Sequence, residues 1–326
     1  MSNKGDKIIK YALSFALAAI FVLLAFRGLD WSAFADGLRH TRWAFVALFT
    51  FASTAALVFR MLRWKALIEP IDPFVRKLTV WDANNVSNVA NIALPGSGEF
   101  IRCGYLAGRN APFGSLFGTI ILERICDVAA VIVLFILALV AGWGRFGTFF
   151  TQQVWTPLAD RMDVSIWLIP VAAVTVLAAV VLLVFRMSGR SRFCGRVAGV
   201  IRRLGEGFAS IGSMDRKWLF LAYTTGIWAM YILMSYSIIL ALPDLNGLNL
   251  LDALFISAIG NIASVIPVPG GIGAYHYLIA LCLSSLYGAS WEYGILYATL
   301  CHELHAIIII ILGIVSYIGL TIRKRK

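Results

Sequence analysis

Residues 293–320 read YGILYATLCHELHAIIIIILGIVSYIGL, a run in which His302, Glu303 and His305 are the only acidic or basic residues. A helix needs about 20 predominantly apolar residues to cross a hydrocarbon core of about 30 Å. This run is long enough to do so, and five other runs resemble it. They occupy residues 8–26, 43–59, 116–143, 166–185 and 218–242. The sequence therefore predicts an all-α, polytopic membrane protein with about six full spans.

The composition of the whole chain agrees with a membrane protein. Hydrophobic residues make up 60% of the 326 residues and charged residues 14%, whereas soluble domains carry about 25% charged residues. The formal net charge of +11 does not indicate a nucleic-acid partner, because the Lys and Arg residues lie in short segments between apolar runs. The five cysteines show no CxxC spacing, so we interpret them as packing residues.

Two further apolar stretches, at about residues 79–94 and 251–287, are interrupted by Pro-Gly clusters. If neither stretch crosses the membrane, most of the 28 Lys and Arg residues lie on the same side as the N-terminus. The positive-inside rule then places that side in the cytoplasm. We predict a multi-pass protein of the inner or plasma membrane with both termini cytoplasmic. Residues 186–217 are predicted to include a basic interfacial segment on the cytoplasmic surface.

The two interrupted stretches are similar in sequence. Residues 82–93 read DANNVSNVANIA and residues 252–263 read DALFISAIGNIA, and Asn91 matches Asn261. Three predicted spans separate the copies, and an odd number inverts the second copy relative to the first. We therefore predict one membrane domain over residues 1–326 that contains an inverted repeat. Its halves are residues 43–143, with a re-entrant broken helix at 79–110, and residues 218–320, with a second at 251–287.

Polar residues cluster at both interruptions. Secondary transporters place their substrate sites where discontinuous helices meet, and glycine-rich turns that lead into helices favour phosphate or carboxylate. The alternative is that the Pro-Gly turns only join the two helices of a hairpin. The residues predicted to bind or translocate a substrate at the interruptions are Asn91, Pro95, Gly96, Gly98, Glu99, Arg102, Asn261, Pro269, Gly270, Gly271, Gly273, His276 and His302.

Charged residues also occur within the third predicted span. Glu123 and Asp127 are one helical turn apart, and Arg124 lies three residues before Asp127. Charges at membrane depth are costly, so they pair with one another or line a cavity. Two interpretations stay open: a buried ion-pair network that fixes helix packing, or a site at which an arginine meets a lipid phosphate. We include all three residues in the predicted site.

The run HELH in the last span invites a comparison with zinc proteases. Their HExxH motif places two histidines at positions i and i+4 around a glutamate base, whereas His302 and His305 are at i and i+3. The sequence therefore predicts no metal site. No spacing of a nucleophile and a base is legible either, so we predict no catalytic residues and no cofactor.

Three motifs resemble a known family. PGSGEFIR at 95–102, LERICD at 122–127 and PGGIGAYH at 269–276 are similar to the lysylphosphatidylglycerol synthetase transmembrane, or flippase-like, family. The resemblance implies a helical membrane domain with re-entrant elements and a role in lipid translocation or lipid-linked envelope pathways. The best-known members carry a fused aminoacyltransferase, and we expect none here because the sequence ends at RKRK. His276 departs from the acid that many relatives carry after the PGGxG turn.

The function predicted from these features is a lipid flippase or transporter. It would move an anionic or lipid-linked amphiphile between leaflets through a polar midplane site, so the expected partners are membrane lipids. One alternative is an intramembrane enzyme that modifies a lipid. Another is a non-transporting membrane subunit of a glycolipid or envelope pathway, with a membrane-bound biosynthetic enzyme as its partner.

Overall fold

The structure is a computed structural model that describes residues 16–94, 96–108, 111–144, 183, 186–187, 216–263 and 268–324. All regular structure in these residues is helical. The chain divides into two compact units, residues 1–141 with 218–326, and residues 142–217. The predicted span at 166–185 and the predicted basic segment at 186–217 lie almost wholly outside the described residues. The helices below belong to the first unit.

Ten helices are labelled here in chain order within the described residues. They are α1 (Ala16–Phe26), α2 (Trp31–Arg39), α3 (Trp43–Ile68), α4 (Lys77–Ala93), α5 (Ser97–Leu106), α6 (Phe113–Ala141), α7 (Lys217–Ala241), α8 (Leu250–Ala263), α9 (Ala274–Tyr287) and α10 (Trp291–Lys324). Short 3₁₀ turns at Pro243–Leu245 and Pro269–Gly271 precede α8 and α9. The all-helical fold predicted from the sequence is confirmed.

Several helices are long and apolar enough to cross a membrane. Trp43–Ile68, Lys217–Ala241 and Trp291–Ile322 meet this test individually. The pair α1 and α2 meets it together but bends by 80°. Helix α6 has 29 residues, which at 1.5 Å per residue gives a length of about 43 Å. These helices are those of a polytopic helical membrane protein. The number of full spans stays a prediction.

The outer surface of α10 is apolar. Only 17% of its most apolar 18-residue stretch is buried inside the protein. Ile311, Ile314 and Val315 are each more than half exposed. Soluble proteins do not expose contiguous apolar faces of this kind without a partner. Hydrocarbon chains of a bilayer would cover such a face, which fits the membrane assignment.

Both interrupted stretches consist of a helix, a break and a second helix, as predicted. Helix α4 ends at Ala93, and α5 begins at Ser97 after Gly96, which has a φ of 83°. Helix α8 ends at Ala263, and α9 begins at Ala274 after Gly273, which has a φ of 81°. Such left-handed φ values favour glycine because it lacks a Cβ atom.

Helix α10 organises the described helices of the first unit. It packs against α9, α4, α2 and α3. Gly294 lies against the backbone of Ala280 in α9, and Gly313 lies against Val89 and the carbonyl of Asn85 in α4. Small residues allow membrane helices to approach closely. The last helix therefore touches both broken-helix elements.

Helix α3 is longer than the span predicted at 43–59. It continues to Ile68, so Arg60 and Arg63 lie on the helix and not in a loop. The predicted end was wrong because it assumed that arginines mark the membrane surface. Arg63 is instead 1% exposed and pairs with acidic side chains of α6.

Helix α2, the short helix after α1, has a side-chain N-cap. Asp30 is the N-cap of α2, and its Oδ1 accepts hydrogen bonds from the Ser32 N–H at 2.8 Å and the Ala33 N–H at 3.2 Å. Trp31 is exposed, whereas Phe34 packs against a buried cluster that contains Ala25. Phe34 is therefore covered by protein, whereas Trp31 is on the outer surface.

Candidate functional site

A cavity of about 450 Å³ opens beside the second break. Its walls come from α3, α4, α7, α8, α10 and the segment that leads into α9. The polar lining residues are Tyr231, Ser235, Ser257, Asn261, Tyr275, His302, Glu303 and His305. Apolar side chains form most of the remaining wall, among them Ile272, Ile309 and Ile310. A cavity of this size is typical of small-ligand sites, which fall at about 300–1,000 Å³.

His302 lies at the wall next to the second turn. Its Nε2 donates a hydrogen bond to the Gly270 carbonyl at 2.7 Å, and its Nδ1 is 2.9 Å from Glu303 Oε1. Gly271 follows at a φ of 74°, a conformation that favours glycine, and its own position is next to His302 Nε2. The glycine turn thus fixes the orientation of His302.

His276 joins this group from the first turn of α9. Its Nε2 is 3.8 Å from Glu303 Oε1, and its ring centroid is 5.5 Å from that of His302. His276 is 3% exposed, and its Nδ1 has no hydrogen-bond partner among the described residues. Gly273 allows α1 to approach α9 here, since a Cβ atom would lie 2.6 Å from the Val22 backbone nitrogen.

Two polar side chains of α3 contact residues that line the cavity. Ser53 Oγ and His305 Nδ1 are hydrogen-bonded at 2.8 Å. Arg60 donates a hydrogen bond to the hydroxyl of Tyr231, which lines the cavity, at 3.3 Å. Arg60 has no ion-pair partner within 4 Å among the described residues. A cation without an ion pair therefore lies behind the cavity wall.

Asn261 is on α8 and lines the cavity. Its Nδ2 donates a hydrogen bond to the Ser257 carbonyl one turn earlier, at 2.8 Å. This hydrogen bond does not use the side-chain oxygen of Asn261. Gly260 allows Tyr275 to pack closely on α8. The predicted site residue Asn261 therefore lies at the wall of the cavity.

The first break has a different environment. Asn91 Oδ1 accepts a hydrogen bond from the Gly98 N–H at 2.8 Å, and Ser97 Oγ donates to the Ala90 carbonyl at 3.0 Å. A Cβ atom on Gly98 would overlap the Ser87 carbonyl oxygen. Asn91 and Gly98 thus hold α4 and α5 together. Gly96 begins α5, and the predicted site residue Pro95 lies outside the described residues.

The charged residues near α6 form a buried ion-pair network. Glu123 accepts hydrogen bonds from Arg63 Nε at 3.3 Å and from Arg102 Nη2. Asp127 accepts two from Arg63, at 2.6 and 3.1 Å. Arg102 also lies over the ring of Trp64, with its guanidinium carbon 4.4 Å from the centroid. These contacts connect α3, α5 and α6.

Arg124 is placed differently from the other members of this group. It is 45% exposed and lies 3.4 Å from Glu99 and 3.9 Å from Asp127. The sequence left a packing network and a phosphate site as open interpretations for these charges. The geometry of Arg63, Arg102 and Glu123 is that of a packing network, whereas Arg124 has the exposure that a phosphate contact needs.

Sequence reasoning missed several residues of the cavity and of the ion-pair network. Arg60 and Arg63 were counted only as surface charge, although their spacing of three places both on one face of a helix. Glu303 and His305 were considered only as part of HELH, and neither was included in the predicted site. Two of their partners, His276 for Glu303 and Ser53 for His305, are distant in sequence, so no local spacing could reveal these contacts.

Comparison with known proteins identifies the family. The family model for the lysylphosphatidylglycerol synthase transmembrane region matches residues 11–313. The chain belongs to this family. The resemblance carried by the motifs at 95–102, 122–127 and 269–276 is thereby confirmed, and this lysylphosphatidylglycerol synthase transmembrane region includes the cavity, both breaks and the ion-pair network.

One curated relative of this transmembrane region is the glycosyltransferase AglD of Haloferax volcanii. It is 25% identical over 268 residues, which cover 73% of this chain and 42% of the relative. The chain therefore spans less than half the length of that relative. No solved structure matches. The family and the relative together associate the chain with membrane lipid or glycolipid pathways of the cell envelope.

Proposed function

We propose that the chain moves an anionic or lipid-linked amphiphile between the leaflets of the cell membrane through the cavity beside the second break. The observation that carries the proposal is the combination of a polar His-Glu-Asn wall with apolar side chains in a cavity of about 450 Å³. A lipid head group needs polar contacts at membrane depth, and its chains need apolar ones. This cavity offers both.

The position of the cavity supports transport. The turn at Pro269–Gly271 packs against α4, the helix that leads into the first break, and Ile92 near the end of α4 lines the cavity. Non-helical backbone at membrane depth is tolerated where protein or water covers it. Transporters use such breaks to expose backbone groups to a substrate.

The charge around the cavity supports an anionic substrate. Arg60 is hydrogen-bonded to Tyr231 and has no ion pair among the described residues, so it can attract a phosphate through the cavity wall. Arg63 and Arg102 are neutralised by Glu123 and Asp127. The network therefore braces the first half of the chain, and the second half provides the polar cavity.

The proposal is tested with purified protein in proteoliposomes. Fluorescent analogues of an anionic phospholipid, a polyprenyl phosphate and a lipid-linked sugar are included separately, and a membrane-impermeant quencher reports the leaflet that each occupies. We expect at least one of these lipids to exchange leaflets faster than in protein-free vesicles. Folded protein with no rate above protein-free vesicles for any of them would refute the proposal.

A second candidate is an intramembrane enzyme, and the cluster of His276, His302 and Glu303 favours it. Imidazole and carboxylate groups serve as general acids and bases when they reach a reacting group. Incubation of the pure protein with a radiolabelled lipid pool tests this candidate. A new lipid product that wild-type protein forms, and that His302→Gln does not form, would favour the enzyme over the transporter.

A further inference from the structure

Three potential metal ligands meet at the second break, from two helices. His276 is on α9, and His302 and Glu303 are on α10. One ligand atom from each residue lies within 4.8 Å of the other two. The distance from His302 Nδ1 to Glu303 Oε1 is 2.9 Å, and that from His276 Nε2 to the same oxygen is 3.8 Å.

The hydrogen bond to Gly270 determines which His302 nitrogen is free. A carbonyl oxygen only accepts, so the Nε2 that lies 2.7 Å from it carries the proton. In a neutral imidazole the other nitrogen then has a lone pair. That Nδ1 faces the carboxylate of Glu303 at 2.9 Å. At this distance the two atoms are bridged either by a proton on Nδ1, which makes the ring an imidazolium, or by a bound metal ion.

We propose that His276, His302 and Glu303 bind a divalent first-row transition metal ion of the Zn²⁺ class. Zn²⁺ binds imidazole nitrogen and carboxylate oxygen at about 2.0–2.2 Å, which separates neighbouring tetrahedral ligands by about 3.3 Å. The observed distances of 2.9 and 3.8 Å lie on either side of that value. The ligand atoms of His276 and His302 lie within 4.8 Å of each other, so side-chain rotations must draw the two rings together for all three atoms to reach bonding distance.

His302 has the surroundings of a metal ligand. Protein ligands of this type donate their second ring nitrogen to a carbonyl, which fixes the tautomer, as His302 does to Gly270. Three protein ligands leave one tetrahedral position open. His302 and Glu303 line the cavity, so the open position faces it.

The charge of the site suggests its ligand. Two neutral imidazoles and one carboxylate leave a bound divalent ion with a net charge of +1. An open position on such an ion takes a phosphate oxygen, which would be that of the head group if the proposed transport is correct. Metal binding itself requires no lipid and does not rest on the proposed function.

His305 provides a matched control on the same helix. It also lines the cavity, but its Nδ1 is hydrogen-bonded to Ser53 Oγ at 2.8 Å, and it is not among the three clustered ligands. The site differs from HExxH because its second histidine comes from α9 and not from the next turn of α10. The expectation of no metal considered only spacing along one helix.

The test uses the full chain purified in detergent. The protein is stripped with a chelator, loaded with Zn²⁺ or Co²⁺, freed of excess metal and measured by elemental analysis. We expect about one metal ion per chain and an intense visible Co²⁺ absorption, which tetrahedral nitrogen and oxygen coordination produces. His276→Gln, His302→Gln and Glu303→Gln should each weaken binding by about 100-fold or more, and His305→Gln should not.

Size-exclusion profiles establish that each variant is folded. If a variant does not fold, the metal content and the Co²⁺ spectrum of the wild-type protein are sufficient to test the inference. Wild-type protein with well under one metal ion per chain, or with only the weak spectrum of octahedral Co²⁺, would overturn the inference. Equal loss of metal in His305→Gln would also overturn it.

Discussion

Replacing Glu123 with Gln tests whether the buried charges hold the helices of the first half together. Glu123 is 2% exposed and accepts hydrogen bonds from Arg63 and Arg102. The substitution preserves the shape of the side chain and removes its charge. Arg63 and Arg102 then keep different contacts, and these decide how much stability the protein loses.

The expected magnitude follows from what each arginine keeps. Arg63 retains Asp127, whose carboxylate oxygens are 2.6 and 3.1 Å from its guanidinium nitrogens. Apart from the uncharged amide introduced at position 123, Arg102 retains among the described residues the Asn84 oxygen at 3.0 Å and the Trp64 ring at 4.4 Å, neither of which carries a negative charge. One buried charge is left without compensation, which costs about 3–5 kcal/mol.

The assay is reversible unfolding by sodium dodecyl sulfate in mixed micelles, followed by tryptophan fluorescence. The matched control is Glu99→Gln, because Glu99 lies 3.4 Å from Arg124, whose side chain is 45% exposed. Glu99 itself is 19% exposed, so water partly screens this pair, and its loss should cost less than the uncompensated charge at Arg102. If Glu123→Gln loses no more stability than Glu99→Gln, the network does not brace the helices and the reasoning is refuted.

Three further predictions concern local structure and topology. Asp30→Ala should lower the free energy of unfolding by about 1 kcal/mol in the same unfolding assay, because α2 loses its N-cap. Gly273→Ala should cost about 2 kcal/mol or more, since it adds a Cβ to a residue at φ 81° beside the backbone of α1, whereas Gly104→Ala, with open space around it, should not destabilise. Single cysteines at Val197 and Asn246 should be labelled by impermeant reagents from the cytoplasmic and outer faces respectively.

Each of these predictions has a contradicting result. An unchanged stability in Asp30→Ala would mean that the cap does not hold α2. Equal effects at Gly273 and Gly104 would contradict the close approach of α1 to α9. Labelling of both cysteines from the same face would contradict the proposed topology and, with it, the inverted repeat.

The sequence predicted the elements whose causes are local. Glycine at a left-handed φ ends a helix, so the breaks at Gly96 and Gly273 followed from composition alone. The apolar runs predicted the helices themselves, although the end of α3 was placed too early.

Contacts between distant residues could not be predicted in the same way. The pair of Ser53 and His305 joins α3 to α10, and the pair of Arg63 and Glu123 joins α3 to α6. Asn91 was predicted to contact a substrate, and the structure gives it a hydrogen bond to Gly98 that closes a turn. A polar residue beside a Pro-Gly turn can serve either role, and only the position of its neighbours decides between them.

The proposed passage of a lipid through the cavity is tested most directly by filling the cavity. Ala306 lines it, whereas Ile314 is two turns later on the exposed face of the same helix. In proteoliposomes, Ala306→Trp should slow leaflet exchange of the transported lipid by about tenfold or more, equivalent to about 1.4 kcal/mol, and Ile314→Trp should leave it unchanged. Equal rates in wild type and folded Ala306→Trp protein would contradict the account.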